Sequence, residues 1–112
     1  MAKKPGPIKF IGASGKKYRF MVLSYDTKFR RVPVVYILTR RYQKEGAKKW
    51  SHDVIYVGET EDVRECLDNH PKKACFNKHK VDTICIYPEY KEKHRHKIVA
   101  DLTQGHKIPC SE

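Results

Sequence analysis

Three kinds of hydrophobic pattern follow one another along this chain, and each predicts a different element. Residues 17-KYRFMVLSY-25 alternate, with Tyr18, Phe20 and Val22 on one side and Arg19, Met21 and Leu23 on the other. This period of two, after the turn signal 12-GASG-15, predicts a half-buried strand. Residues 32-VPVVYIL-38 are apolar almost throughout, as in a central strand covered on both faces. Pro33 is confined to its beginning, because proline has no N–H to give to a ladder. A further strand, 53-DVIYVG-58, stops at a glycine. Between the two lies 40-RRYQKEGAKKWSH-52, too polar for a core element, which predicts a long basic hairpin loop.

The pattern then becomes helical. Val63, Cys66, Leu67 and His70 fall on one face at the spacing of an α-helix. Thr60 stands at the cap position, Glu61 and Asp62 in the first turn complement the exposed N–H groups, and Pro71 ends the run. A strand follows at 82-DTICIYP-88. A last helix is expected at about 90–103, where His94, Ile98 and Leu102 are one turn apart. The order strand, strand, strand, helix, strand, helix predicts an α/β (α+β) fold: a small, mainly antiparallel central sheet flanked by helices. Residues 1–16 are expected to form a basic N-terminal arm and first turn, and residues 17–112 a single domain.

Charge adds a direction to this picture. The chain of 112 residues carries 24 Lys and Arg against 13 Asp and Glu, a formal charge of +11. Residues 1–50 hold 14 basic and 2 acidic side chains, whereas residues 51–112 hold 10 and 11. A polyanionic partner, DNA or RNA, is therefore expected to meet the first half. Within it, Arg40, Arg41, Lys44, Lys48 and Lys49 are interleaved with Tyr42 and Trp50, a combination suited to phosphate neutralisation and base stacking. Arg30 and Arg31 add to the same surplus. The alternative is a solvated hairpin whose lysines keep it soluble.

No run approaches the roughly 18 apolar residues of a membrane span, and MAKKPGPIKF lacks the apolar core of a secretory signal. The expectation is a soluble, intracellular (cytoplasmic) protein with no membrane partner. In a reducing compartment, Cys66, Cys75, Cys85 and Cys110, without CxxC spacing, are expected as thiols. Cys66 and His70 are i, i+4, and Cys75 and His79 repeat that separation, so the four form a conceivable Cys₂His₂ zinc site. Cys66 is equally explained as a small buried residue beside Val63 and Leu67.

The stretch 55-IYVGETEDVRECLDNH-70 resembles the GIY-YIG domain, a small α/β module best known from nucleases. Here 34-VVY-36 stands at the first motif and 56-YVG-58 at the second. The helix that follows matches through Asp62, Leu67 and His70, and 98-IVADLTQGHKIPCS-111 is similar to the family's last helix and tail. The resemblance implies that Tyr36 and Tyr56 orient or deprotonate a water, that a helix arginine binds the scissile phosphate, and that a glutamate carries Mg²⁺. The arginine position is Cys66, the glutamate position is Val99, the tail asparagine is Ser111 and the first motif's glycine is Val34.

Phosphodiester hydrolysis needs a basic water, a cation for the developing phosphate charge and a carboxylate-held metal. The chain keeps Tyr36, Tyr56, Gly58 and His70 but not the metal ligand or the phosphate-binding cation. Five acids and one base between Glu59 and Asp68 also repel phosphate. The expectation is a vestigial site in a nucleic-acid-binding domain with no cofactor. The alternatives are a Mg²⁺-dependent endonuclease with displaced groups such as Arg64, Arg95 or His96, and a protein-interaction module with one acidic and one basic side. Tyr36 and Tyr56 are then catalytic relics or core aromatics, and Gly58 serves the strand-to-helix turn. His70 is a general base or an imidazolium held by a helix C-terminus.

Overall fold

A computed structural model describes residues 7–43, 45–46, 48 and 50–110. The elements in order are β1 (Ile8–Ile11), β2 (Lys17–Ser24), β3 (Val34–Tyr42), β4 (Ser51–Thr60), α1 (Val63–Asp68), α2 (Lys73–Lys78), β5 (Thr83–Pro88) and α3 (Glu92–Gly105). Neighbouring strands are antiparallel and lie in the order β1-β2-β5-β3-β4, so the expected α+β class with an antiparallel sheet is present.

Helices cover both faces. On one, α3 buries Ile98 and Leu102 against Phe20, Val22, Val35, Ile37 and Val57. On the other, α1 and α2 bury Val63, Leu67 and Phe76 against Val34, Tyr36, Leu38 and Ile84. Successive side chains of a strand point to opposite faces, so a strand inside this sandwich must be apolar at every position. That is why Val34 to Thr39 of β3 and Thr83 to Ile86 of β5 are buried without interruption.

Several expectations are corrected. Residues 8–11 are not part of an arm: they pair with β2 from Ile8↔Phe20 to Ile11↔Lys17, and Phe10 enters the core. Four residues flanked by proline and glycine are too few to display a period. The 12–15 turn is bound to α3, where the Asp101 carboxylate accepts the Ser14 N–H at 2.8 Å, the Ser14 hydroxyl at 2.7 Å and the Tyr18 hydroxyl at 2.7 Å. Gly12 passes so close that a Cβ there would overlap this carboxylate. Hydrogen bonds from Ser14 and Tyr18 hold the Asp101 carboxyl below its ordinary range. Burial, with Asp101 beside it, pushes Tyr18 up to about 12.

The loop expected at 40–52 is shorter, because β3 runs on to Tyr42 and β4 begins at Ser51, with Arg40 opposite Asp53 and Arg41 opposite His52. A bulge falls where Leu38 faces Tyr56 and Thr39 faces Val54, leaving Ile55 as the extra residue. The cap of α1 is Asp62, whose Oδ1 accepts the Glu65 N–H at 3.2 Å; Thr60 instead bonds the Asp62 backbone. Helix α2 was not expected, since Phe76 is its single fully buried side chain. Cys75 and Cys110 are joined by a disulfide that ties the tail to α2, while Cys66 and Cys85 remain thiols, so the expectation of four thiols holds for two.

Candidate functional site

The residues carrying the family resemblance converge between β3, β4 and α1. Tyr36, 1% exposed, lies against Tyr56 with ring centroids 6.0 Å apart, and its hydroxyl meets His70 Nε2 at 3.0 Å and Cys66 Sγ at 3.4 Å. Gly58 is not at the strand-to-helix turn; it sits inside β4 opposite Tyr36. A Cβ there would stand 2.6 Å from Tyr36 Oη, 2.7 Å from its Cζ and 2.8 Å from Tyr56 Cε2. The glycine therefore makes room for the two rings. Gly58→Ala is expected to lose about 2–3 kcal/mol of stability, the upper range of overpacking, because both rings are locked in the core. Urea denaturation measures this; a loss below about 0.5 kcal/mol would mean that the rings shift freely.

Protons in this cluster have fixed places. The Lys72 N–H donates to His70 Nδ1 at 3.1 Å, so the neutral ring carries its proton on Nε2, which donates to Tyr36 Oη. The Tyr36 proton is then directed at Cys66. Burial, reinforced by Cys66, holds the Tyr36 hydroxyl far above its ordinary pKa. Burial and the Lys72 charge hold His70 below its ordinary value. Neither His70 nitrogen offers a free lone pair to a water, and Tyr36 does not deprotonate. The imidazolium expected at a helix C-terminus is also corrected: α1 ends at Asp68, and His70 is buried among Tyr36, Tyr56 and Phe76.

This neutral histidine makes stability depend on pH. Its folded pKa lies below its unfolded value of about 6.5, so between the two the unfolded chain binds more protons. The contribution is complete above about pH 6.5 and is lost as pH falls through the folded pKa, with a slope of at most about 1.4 kcal/mol per unit. His52, lowered by burial and by Arg41, acts in the same direction. Melting temperatures should fall from pH 7 to pH 5, and less steeply in His70→Gln. Parallel profiles for the two proteins would contradict this assignment.

Glu59, Glu61, Asp62 and Glu65 line the mouth of the tyrosine pocket, a cleft of about 630 Å³ with Lys72 as its basic neighbour. Glu59 is engaged by α3: its Oε2 accepts from Arg95 Nε at 2.7 Å, and its Oε1 lies 3.4 Å from His96 Nε2. Arg95 is 1% exposed and also donates Nη1 to the carbonyls of Glu89 and Tyr90, both at 3.0 Å. Val99, at the family's glutamate position, packs against the core beneath α3. Arg64 lines a separate cleft with Tyr25, Lys28 and Phe29. Ser111 lies outside the described residues.

Among the described residues, the cations expected to bind nucleic acid do not form one patch. Arg31 pairs with Asp62 at 2.7 Å, near the start of β3, with Arg30 exposed beside it. Arg40, Arg41, Tyr42 and Trp50 lie at the other end of that nine-residue strand, roughly 25 Å away at the usual rise. Lys48 is exposed, and Lys44 and Lys49 lie outside the described residues. Arg41 stacks 4.6 Å from the centre of the half-exposed Trp50 ring. Beside this end is a groove of about 590 Å³ in which Arg40 is joined by Lys78, Lys80 and Lys107. His52, His79 and His106 also line it, and Asp53, 3.6 Å from Arg40, is its carboxylate.

The four residues of the conceivable zinc site divide between two places. Cys66 and His70 meet at Tyr36, whereas Cys75 and His79 gather with Cys110, their ligand atoms all within 4.8 Å of one another. Lys78, Lys80, Lys107 and Cys110 were not anticipated here. Their signal was present as 78-KHK-80 and 106-HK-107, but the acids of residues 59–68 cancelled it in the charge sum for that half.

Comparisons with protein-family models, curated proteins and solved structures find no match. Among the described residues, no helix is long and apolar enough to cross a membrane.

Proposed function

We propose that this domain binds nucleic acid without cleaving it, through phosphate contacts at the groove beside the β3–β4 hairpin, and that it is a degenerate relative of the GIY-YIG nucleases. The observation that carries the binding is the contrast between two clefts of similar size. The tyrosine pocket is lined by four carboxylates, which repel phosphate. Among the described residues, four cations and one carboxylate line the groove. The half-exposed Trp50, backed by Arg41, supports this reading, because stacking of a base on an aromatic ring is worth roughly 1–3 kcal/mol in single-strand binders. The family relation is supported by the meeting of Tyr36, Tyr56, Gly58 and His70, and by Cys66, at the arginine position, facing the same hydroxyl.

Loss of cleavage is supported by the occupied Nδ1 lone pair of His70, by Glu59 being held on Arg95, and by the apolar Val99. With about four phosphate contacts, binding is micromolar and its logarithmic salt slope is about −3.6, so affinity falls about a hundredfold between 50 and 200 mM salt. Lys78→Gln with Lys80→Gln flattens the slope by about two. Titration of labelled single- and double-stranded DNA and RNA over that range tests the proposal. Binding indifferent to salt, or unchanged in the double variant, refutes the groove. Mg²⁺-dependent cleavage abolished by Tyr56→Phe refutes the loss of catalysis.

A further inference from the structure

The disulfide has a neighbour that no structural cross-link requires. Cys75 and His79 are one helical turn apart, with the His79 N–H bonded to the Cys75 carbonyl at 3.0 Å, so their side chains leave the same side of α2. Cys110 is brought to them by the tail, where its own N–H bonds the Ile55 carbonyl at 3.1 Å. Two sulfurs and an imidazole nitrogen thus lie within 4.8 Å of one another. Thiolates sharing a tetrahedral ion stand about 3.8 Å apart, given zinc–sulfur bonds of about 2.3 Å. Small side-chain rotations separate a disulfide from such a pair.

We infer that Cys75, His79 and Cys110 form a redox-controlled zinc site. In the oxidised state the two sulfurs are bonded to each other. A low-molecular-weight thiol reduces them: two reductant thiols become one reductant disulfide, the Cys75–Cys110 bond breaks, and the two protons pass to Cys75 and Cys110. Zn²⁺ then displaces both protons to solvent as two Zn–S bonds and one Zn–N bond form. Two thiolates with an imidazole suit zinc and exclude Mg²⁺ and Ca²⁺, which take oxygen ligands. Three protein ligands leave the fourth position to water. His79 and Pro109 line the basic groove, so that position opens towards it. The inference is independent of what the groove binds.

The test compares oxidised and reduced protein, each titrated with Zn²⁺ against a chromogenic chelator and with Co²⁺ as a spectroscopic probe. Reduced protein should take up about one ion per chain and give thiolate-to-cobalt charge-transfer bands; oxidised protein should do neither. His79→Ala, which leaves the disulfide and the core intact, should weaken the reduced protein's affinity at least about tenfold. Cys66→Ser should leave uptake unchanged, because that thiol faces Tyr36. Circular dichroism follows the fold throughout. If reduced protein unfolds and zinc restores it, the site is supported; if zinc does not restore it, the inference fails. It also fails if reduced protein takes up no ion, or if uptake is undiminished by oxidation or by His79→Ala.

Discussion

Arg95→Ala is expected to lose about 3–5 kcal/mol of stability, because it removes one partner of a buried ion pair and leaves the other groups unpaired. The guanidinium is 1% exposed and satisfies three acceptors: Glu59 on β4 and the carbonyls of Glu89 and Tyr90 in the loop before α3. It also lies 4.0 Å from Glu61. Glu59 keeps some contact with solvent, which places the loss towards the lower end of that range. Arg95→Lys should recover little, since an ammonium cannot reproduce the forked donors. Adding Glu59→Gln to Arg95→Met should recover part of the loss by removing the stranded charge. Urea denaturation of these four variants and of the wild-type protein is the measurement. A loss below about 1 kcal/mol in Arg95→Ala would show that water replaces the guanidinium at all of its acceptors.

The same residue marks where the sequence stopped being legible. Strands β2, β3, β4 and β5 and helix α3 were readable because each shows either a period or a continuous apolar run, and a run such as 34-VVYIL-38 has few other homes than the middle of a covered sheet. Arg95 has no such signature. In a helix that opens on the polar run 92-EKHRHK-97, only its acceptors, among them Glu59 36 residues earlier, make it a core group. Phe10 and Phe76 escaped for a related reason: each is one buried side chain in an element too short to repeat.

The candidate sites divide in the same way. Tyr36, Tyr56, Gly58 and His70 could be named because their motifs are local and ordered, and the structure brings them together. Their protonation could not, since it depends on the Lys72 N–H and on burial. The basic groove was divided by the order of the chain. Arg40 belongs to one half and Lys78, Lys80 and Lys107 to the other, so a count by halves assigned to the N-terminal side a surface that both build. Arg30 and Arg31, close to Arg40 in sequence, are separated from it by the full length of β3.

The second large effect concerns the cross-link. Cys110→Ser is expected to cost about 4 kcal/mol under oxidising conditions. The disulfide joins residues 35 apart, and the loss of loop entropy in the unfolded chain for a closure of that length amounts to about 4 kcal/mol. Cys110 is also 2% exposed, so a serine there buries a hydroxyl in place of sulfur. Cys75→Ser should match it closely, since either change opens the same loop. Wild-type protein in reductant with a chelator should fall to about the level of the variants. Equal urea midpoints for oxidised and reduced wild-type protein would mean that packing of Cys110 with Ile55 in the core beneath α1 and α2 already fixes the tail. Zinc added to the reduced protein then separates two roles for the sulfurs. If it restores most of the lost stability in wild-type but not in His79→Ala, the tail is held to α2 by a bond in one state and by an ion in the other. If neither protein responds, the sulfurs act through the disulfide alone.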